Sequence, residues 1–282
     1  MKIIPCREYQ YKILLTTDNK IPIYPYIRDT DGDKTMFSIG SEHGRSYLVG
    51  QNSNKRWVVS KGNGLSYSQY TFLNTREFGD DTLGLLLRKD AERDFKLGQE
   101  VASLGIKTNE MEYVLEIEKE LQLPSGHIIK PILLQYNVEC PYRISDACYI
   151  PHRVIEEEVS KWEKMNDLHF DQDHLIAANV LIRNLHILHK NQILHNAIHA
   201  QNYTWALELL DFELACSPQH PYDNEDSQRH VKSLYPREVF YTYLIICQIA
   251  EVLHEVIDNH VLEELFNQYG FSLKKYSVPF IK

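Results

Sequence analysis

The first half of the chain alternates between short apolar runs and polar turns, which is typical of β-strands. Runs at 35–40, 45–51 and 56–62 are rich in β-branched and aromatic residues, and Gly, Asn or Ser bound each of them. Two further β-rich stretches, YKILL at 11–15 and IPIYPYI at 21–27, precede them, and proline interrupts the second. The pattern predicts a β-meander in this part of the chain.

The pattern changes to a helical period near residue 85. We predict one helix over residues 85–104, with Gly105 at its C-cap position. Its apolar face would comprise Leu87, Ala91, Phe95, Val101 and Leu104. Two more strand-like runs follow at 111–118 and 128–137. The prediction is therefore a sheet of five strands, with one helix between the third and the fourth.

The second half of the chain is mainly helical. Apolar residues with a period of 3.6 predict helices over 151–166, 173–191, 236–257 and 260–270, and Pro236 is predicted in the first turn of the third. We therefore predict an α+β fold of two domains. Residues 1–140 would form the five-stranded sheet with its helix, and residues 141–282 a helical domain.

Composition narrows the classes of partner. The formal net charge of -9 argues against broad binding to nucleic acid or to an anionic membrane surface. Five cysteines without any CxxC spacing argue against a disulfide framework or a zinc site. The N-terminal residues do not resemble a signal peptide, and no apolar run approaches 18 residues. We expect a cytoplasmic protein.

A first group of candidate site residues lies in the β-rich half. Lys61 ends an alternating strand, where an ammonium group can neutralise the phosphates of ATP. The turn that contains Gly40 and Gly44 is a candidate phosphate-covering loop, although it lacks the GxGxxG spacing. An acid on the helix over 85–104 would hold Lys61 in place. The candidates for this acid are Glu92, Asp94 and Glu100.

A second group follows the long helix of the second half. Asn202 and Asp211 lie nine residues apart, on a loop and turn. Amide and carboxylate oxygens are ligands that Mg²⁺ accepts while it bridges phosphate groups. The two groups together predict a protein that binds ATP with Mg²⁺ or Mn²⁺.

These residues carry a resemblance to the protein-kinase-like superfamily. The segment ILHNAIHAQN is similar to the catalytic loop HRDLxxxN, with His195 at the His and Asn202 at the metal-binding Asn. LLDFE is similar to the DFG segment with Asp211 as its Asp, and VVSK is similar to VAIK with Lys61 as its Lys. The resemblance implies a bilobal kinase-like fold with a β-rich N-lobe and a helical C-lobe. The segment also resembles aminoglycoside and choline phosphotransferases.

A narrower resemblance is to the selenoprotein O family, kinase-fold proteins that transfer AMP to hydroxyl side chains. Its KGxG stretch is matched by residues 61–64, and its REF helix leading to LGIPT by RDF at 93–95 and LGIKT at 104–108. The resemblance assigns the Lys-pairing role to Asp94 and metal binding to Asn202 and Asp211.

The chain departs from both families where a general base is needed. Ala197 replaces the kinase Asp, and Gln201 replaces the acid that selenoprotein O carries before its metal-binding Asn. Neither side chain can accept a proton, so His199 is the candidate base, although a purely structural role is equally consistent with its position. Arg143 and Arg153 are candidates for binding phosphate.

Three functions remain open from the sequence. The first is a transferase that moves AMP, or a phosphoryl group, from ATP to an unknown protein or small-molecule acceptor. The second is a pseudokinase that binds nucleotide and acts as an interaction module, which Ala197 and Gln201 favour. The third is a small-molecule phosphotransferase of the aminoglycoside type, which His199 and the DFE segment favour.

Overall fold

The protein is seen here as a computed structural model. It describes residues 1–17, 21–38, 45–64, 84–122, 126, 128–165, 170–222 and 225–273, without the side chains of 165 and 225–234. The chain forms two compact units. The N-terminal unit comprises Met1–Gln99 with Asn109–Pro141, and the C-terminal unit comprises Glu100–Thr108 with Tyr142–Lys282. The first carries the sheet and the second is largely helical, so the predicted α+β class is confirmed.

The N-terminal unit is built on one antiparallel sheet. Its order is β2-β7-β10-β6-β5-β4-β1-β3, and β8 and β9 form a separate pair. The strands are β1 (Lys2–Glu8), β2 (Tyr11–Thr16), β3 (Tyr26–Arg28), β4 (Lys34–Ser38), β5 (Ser46–Gln51), β6 (Trp57–Lys61), β7 (Glu110–Ile117), β8 (Leu121–Gln122), β9 (Ile128–Ile129) and β10 (Ile132–Val138). The predicted count of five strands was wrong. The five predicted strands form the consecutive block β4-β5-β6-β10-β7, and residues 1–28 add three more at its two edges.

The sheet is strongly curved. Strands β1 and β2 are six positions apart in the strand order, which is about 29 Å in a flat sheet. Only Tyr9 and Gln10 connect them, and a link of this length spans at most about 11 Å. The sheet must therefore curl until these strands approach each other.

The segment over 21–24 lies against the inner face of this curved sheet. The Gln135 side chain accepts a hydrogen bond from the Tyr24 backbone N–H at 3.0 Å and donates one to the Pro22 carbonyl oxygen at 2.8 Å. The Tyr113 hydroxyl donates to the Ile21 carbonyl oxygen at 3.0 Å. Ile21 and Ile23 also pack against a buried apolar cluster of β7 and β10. This face is thus covered by the chain itself.

Lys61 lies on the outer face of the sheet. It is paired with Leu134 of β10, and Leu134 faces away from the inner face because its neighbour Gln135 faces towards it. Helix α1 (Arg88–Ser103) contains the predicted apolar face, with Ala91, Phe95 and Val101 buried. Just beyond its end, the predicted cap residue Gly105 adopts φ +81° and its N–H donates to the Ala102 carbonyl oxygen.

The C-terminal unit contains four α-helices among its described residues. They are α2 (His152–Val159), α3 (Asp173–Lys190), α4 (Glu225–Leu253) and α5 (Asn259–Gln268). Asp258 caps α5, since its Oδ1 accepts hydrogen bonds from the backbone N–H groups of His260 and Val261. Single-turn 3₁₀ segments at Trp162–Met165 and Ala200–Asn202 lie between the helices.

The predicted start of the third helix was wrong. Helix α4 begins at Glu225, so Pro236 lies inside the helix rather than in its first turn. Proline has a helical φ but lacks an N–H group, so the helix continues through it at the loss of one backbone hydrogen bond. Within the described residues, no helix is long and apolar enough to cross a membrane.

Candidate functional site

The structure joins Lys61 and Asp94 in a buried ion pair. Lys61 Nζ donates to Asp94 Oδ2 at 2.9 Å, and the two side chains are 3% and 1% exposed. Lys61 lies at the end of β6, and Asp94 faces the sheet from α1. The other two candidate acids point elsewhere: Glu92 pairs with Arg88, and Glu100 accepts a hydrogen bond from Ser217. The role of the pair in binding nucleotide stays a prediction.

The turn after Lys61 depends on two glycines. Gly62 and Gly64 adopt φ values of +99° and +88°, in the left-handed region that side chains disfavour. A Cβ atom on Gly62 would lie 2.3 Å from the Ile132 carbonyl oxygen. The Asn63 Nδ2 group donates to Ser60 Oγ at 3.0 Å, which closes the turn on β6. The KGxG stretch is therefore a rigid turn that fixes the backbone beside Lys61.

Gly40 and Gly44, which belong to the candidate phosphate-covering loop, lie outside the described residues.

In the C-terminal unit, a small hairpin brings Asn202 and Asp211 to one end. The backbone of Tyr203 forms a bridge with Leu209, and the Leu210 N–H donates to the Asn202 carbonyl oxygen at 2.9 Å. The buried His195 ring joins this hairpin, because its Nε2 lies 2.9 Å from the Leu210 carbonyl oxygen and donates to it. The nine-residue spacing seen in the sequence is thus the length of this hairpin.

The amide group of Asn202 has a defined orientation. Its Nδ2 donates to the Ala197 carbonyl oxygen at 3.0 Å, so its Oδ1 faces the other way. There Arg143 Nη1 lies 3.4 Å from Oδ1 and donates to the Gln201 carbonyl oxygen at 2.7 Å. Ala197 therefore contributes a backbone acceptor that orients Asn202, while its methyl group has no acid–base capacity.

His199 lies between oppositely charged neighbours. Burial lowers its pKa, the adjacent His195 and Arg143 lower it further, and the Asp211 carboxylate raises it. The net shift is downward from the ordinary value of about 6.5, so His199 is mainly neutral at pH 7. Its Nδ1 is buried and has no hydrogen-bond partner within the described part of the chain. A neutral imidazole is the form that can accept a proton.

Asp211 adopts φ +68°, a left-handed conformation that Asp tolerates better than most residues. The oxygens of Asn202 and Asp211 are of a chemical type that suits Mg²⁺. However, a guanidinium group already faces Asn202 Oδ1, so the pair does not fit a divalent ion in the present arrangement. The described residues contain no group of three or more His, Cys, Asp or Glu side chains arranged for a metal.

Of the two candidate phosphate-binding arginines, Arg143 lies at the loop over residues 193–202, where its Nη1 contacts Gln201 and Asn202. Arg153 is on the exposed side of α2, where its guanidinium pairs with Glu157 at 3.2 Å and is 84% exposed. The described contacts of Arg153 do not include Asn202 or Asp211.

Sequence reasoning missed Glu238, which anchors the start of the loop from α4. Its Oε1 accepts from the Asn196 backbone N–H at 2.6 Å, and its Oε2 lies 2.8 Å from His189 Nε2. Asn196 adopts φ +62°, so this contact holds a backbone conformation that is otherwise disfavoured. No signal in the local sequence points to Glu238, because the contact spans 42 residues.

Comparison with solved structures finds a kinase domain among the similar ones. The chain is similar to the kinase domain of a rhoptry antigen specific to Toxoplasma gondii, with 9% identity, a TM-score of 0.46, and 86% of this chain and 77% of that chain covered. It is also similar to an Stt7 homolog from Micromonas algae soaked with ATP, with 10% identity, a TM-score of 0.44, and 90% and 79% covered. No protein-family model matches the chain. No curated protein matches it either. At this level of similarity the two structures assign neither a family nor an activity to the chain.

Proposed function

We propose that this chain binds ATP and transfers part of it, an AMP or a phosphoryl group, to a hydroxyl acceptor. The observation that carries the proposal is the buried pair of Lys61 and Asp94, at 2.9 Å, at the end of a sheet strand beside a glycine turn. Lys61 would neutralise phosphate charge, and Asp94 would hold its ammonium in one position.

The burial of this pair supports a role beyond stability. Replacing a buried ion pair by apolar residues of similar volume is often neutral or stabilising, so folding alone gives little reason to place one here. Lys61 is one of the few charged side chains in the described core. A positioned cation for an anionic ligand accounts for its presence.

The loop residues suit the proton transfer that the reaction requires. The acceptor oxygen would attack the α-phosphorus and release pyrophosphate, or attack the γ-phosphorus and release ADP. In either reaction the hydroxyl proton would pass to the neutral His199 imidazole, because Ala197 and Gln201 cannot take it. No step of the proposal runs through a divalent ion, since Arg143 faces the oxygen that would bind it.

A second candidate is a nucleotide-binding interaction module without turnover. Two observations favour it: the absence of a carboxylate at Ala197, and the contact of Arg143 with Asn202. In this case the ordering of the loop by bound nucleotide, rather than chemistry, would be the function.

Nucleotide binding is tested by calorimetric titration of ATP into the wild type and three variants. Hydrogen bonds to charged groups contribute about 1.5–3 kcal/mol, so Lys61→Met should weaken binding by about tenfold or more. Asn202→Ala should weaken binding of the same nucleotide. Glu92→Gln, on the same helix as Asp94 but in an exposed pair, is the control and should bind as the wild type does. Unchanged binding in Lys61→Met would overturn the proposal.

Turnover is tested with ATP labelled at the α or the γ phosphate and a panel of proteins and small molecules as acceptors. Label from the α position alone indicates AMP transfer, and label from the γ position alone indicates phosphoryl transfer. Binding without transfer of either label would support the interaction module instead.

A further inference from the structure

Arg143 is fixed beside the loop by its backbone. Its N–H donates to Asp146 Oδ2 at 3.0 Å, and the next residue, Ile144, donates to the Tyr203 carbonyl oxygen at 2.8 Å. Arg143 also forms a backbone bridge with Thr204. Since Tyr203 and Thr204 directly follow Asn202, the guanidinium group is held next to the Asn202 side chain.

The contact between Arg143 and Asn202 has only one consistent assignment of atoms. The Ala197 carbonyl oxygen requires a donor, which must be Asn202 Nδ2, and the guanidinium requires an acceptor, which must be Asn202 Oδ1. The oxygen that the resemblance assigns to a metal ion therefore faces a positive charge already supplied by the chain.

The guanidinium retains donors for an anion. Among the described residues Arg143 forms no ion pair with a carboxylate, and its hydrogen bonds to the loop use Nη1 alone. Its Nε and Nη2 groups are available to a ligand, and two such groups match the oxygens of a phosphate in a planar, paired geometry. The side chain is partly exposed, so a ligand can reach it.

We propose that the Arg143 guanidinium takes the place of a divalent cation at Asn202, so that it binds a nucleotide phosphate directly and ATP binding does not require Mg²⁺. This inference rests on the proposed function for the identity of the ligand. Its basis, the contact between Arg143 and Asn202 Oδ1, is independent of that function. Removal of the positive charge would release the Asn202 oxygen for a divalent ion and remove a phosphate contact at once.

The test measures the Kd of ATP in EDTA and in excess Mg²⁺. The wild type should bind ATP equally well, within about threefold, under both conditions. Arg143→Gln should lose about tenfold in EDTA and recover binding in Mg²⁺, whereas Arg143→Lys, which keeps the charge, should lose less. Arg237→Gln, an exposed arginine of α4, is the matched control for the change in charge and should behave as the wild type does. Wild-type binding that disappears in EDTA, or an Arg143→Gln variant that binds normally in EDTA, would overturn the inference.

A second measurement separates this inference from the proposed function. Electron paramagnetic resonance of Mn²⁺ added without nucleotide should detect no bound ion in the wild type and bound ion in Arg143→Gln. If the wild type binds ATP under neither condition, the proposed function fails, and the Mn²⁺ result alone decides the role of Arg143. Equal Mn²⁺ binding by the two proteins would then overturn it.

Discussion

The substitution Asp94→Asn removes the carboxylate charge beside Lys61 but keeps the size of the side chain. The ammonium and carboxylate are 2.9 Å apart and almost completely buried, with 3% and 1% of their side chains exposed. Removing one partner of a buried pair costs about 3–5 kcal/mol, because the other charge stays in a medium of low polarity. Total stabilities are about 5–15 kcal/mol, so we expect a large part of the stability to be lost.

Two further variants separate charge from packing. Lys61→Met with Asp94→Leu removes both charges, and it should be more stable than Asp94→Asn because no buried charge is left without its partner. Glu92→Gln breaks a pair on the same helix with a similar distance, 2.7 Å, but an exposed partner, Arg88. Solvent already screens that pair, so the control should unfold at the wild-type urea concentration.

Urea unfolding followed by fluorescence measures the effect. Trp57 lies in β6 of the N-terminal unit, whereas Trp162 and Trp205 lie in the C-terminal unit, so Trp57→Phe identifies the signal of the unit that carries the pair. With a slope of about 3 kcal/mol per molar, a loss of about 4 kcal/mol lowers the midpoint by roughly 1.3 M. A midpoint for Asp94→Asn equal to that of Glu92→Gln, or a double variant no more stable than the single one, would refute the reasoning.

Two further outcomes can be checked directly. In NMR titrations the His199 pKa should lie below the ordinary histidine value. It should fall further in Asp211→Asn, which removes a charge that raises it, and rise in Arg143→Gln. The free energy of unfolding should accordingly decrease as pH falls below about 6.5, since the unfolded state binds the proton more readily. Gly62→Ala should destabilise the protein more than Gly105→Ala, because both have positive φ but only Gly62 lacks room for a Cβ. Equal melting temperatures for the two alanine variants would contradict this.

The central strands and α1 could be predicted because their signals are local. Alternation along a strand and a period of 3.6 along a helix are visible within a few residues. Strand β1 has no such signal. It contains Pro5, which argues against a strand inside a sheet, and its conformation depends on pairing with β3 and β4 on both sides. The other two uncounted strands, β2 and β3, fall on the β-rich stretches at 11–15 and 21–27, which the count of five left out.

The residues of the candidate site likewise differ in how far the sequence could predict them. The sequence left three acids of α1 open as partners of Lys61, the resemblance selected Asp94, and the structure pairs Asp94 with Lys61. Arg143 and Arg153 were equivalent in the sequence. They differ because backbone contacts with Tyr203 and Thr204 hold Arg143 beside the loop, while Arg153 lies on the solvent side of α2. Contacts of this kind, such as that of Glu238, join distant segments and leave no trace in local patterns.

The curvature of the sheet has a consequence for synthesis of the chain. Among the described strands β2 pairs with β7 alone, so Tyr11 finds its partner Ile117 only after about 100 further residues have been made. At about 5–20 residues per second, the early strand waits several seconds or longer on the ribosome without its partner. Leu14 and Leu15, which are partly buried in the folded protein, stay exposed to solvent throughout that interval. Chaperones that bind nascent chains should therefore protect strand β2 until β7 emerges.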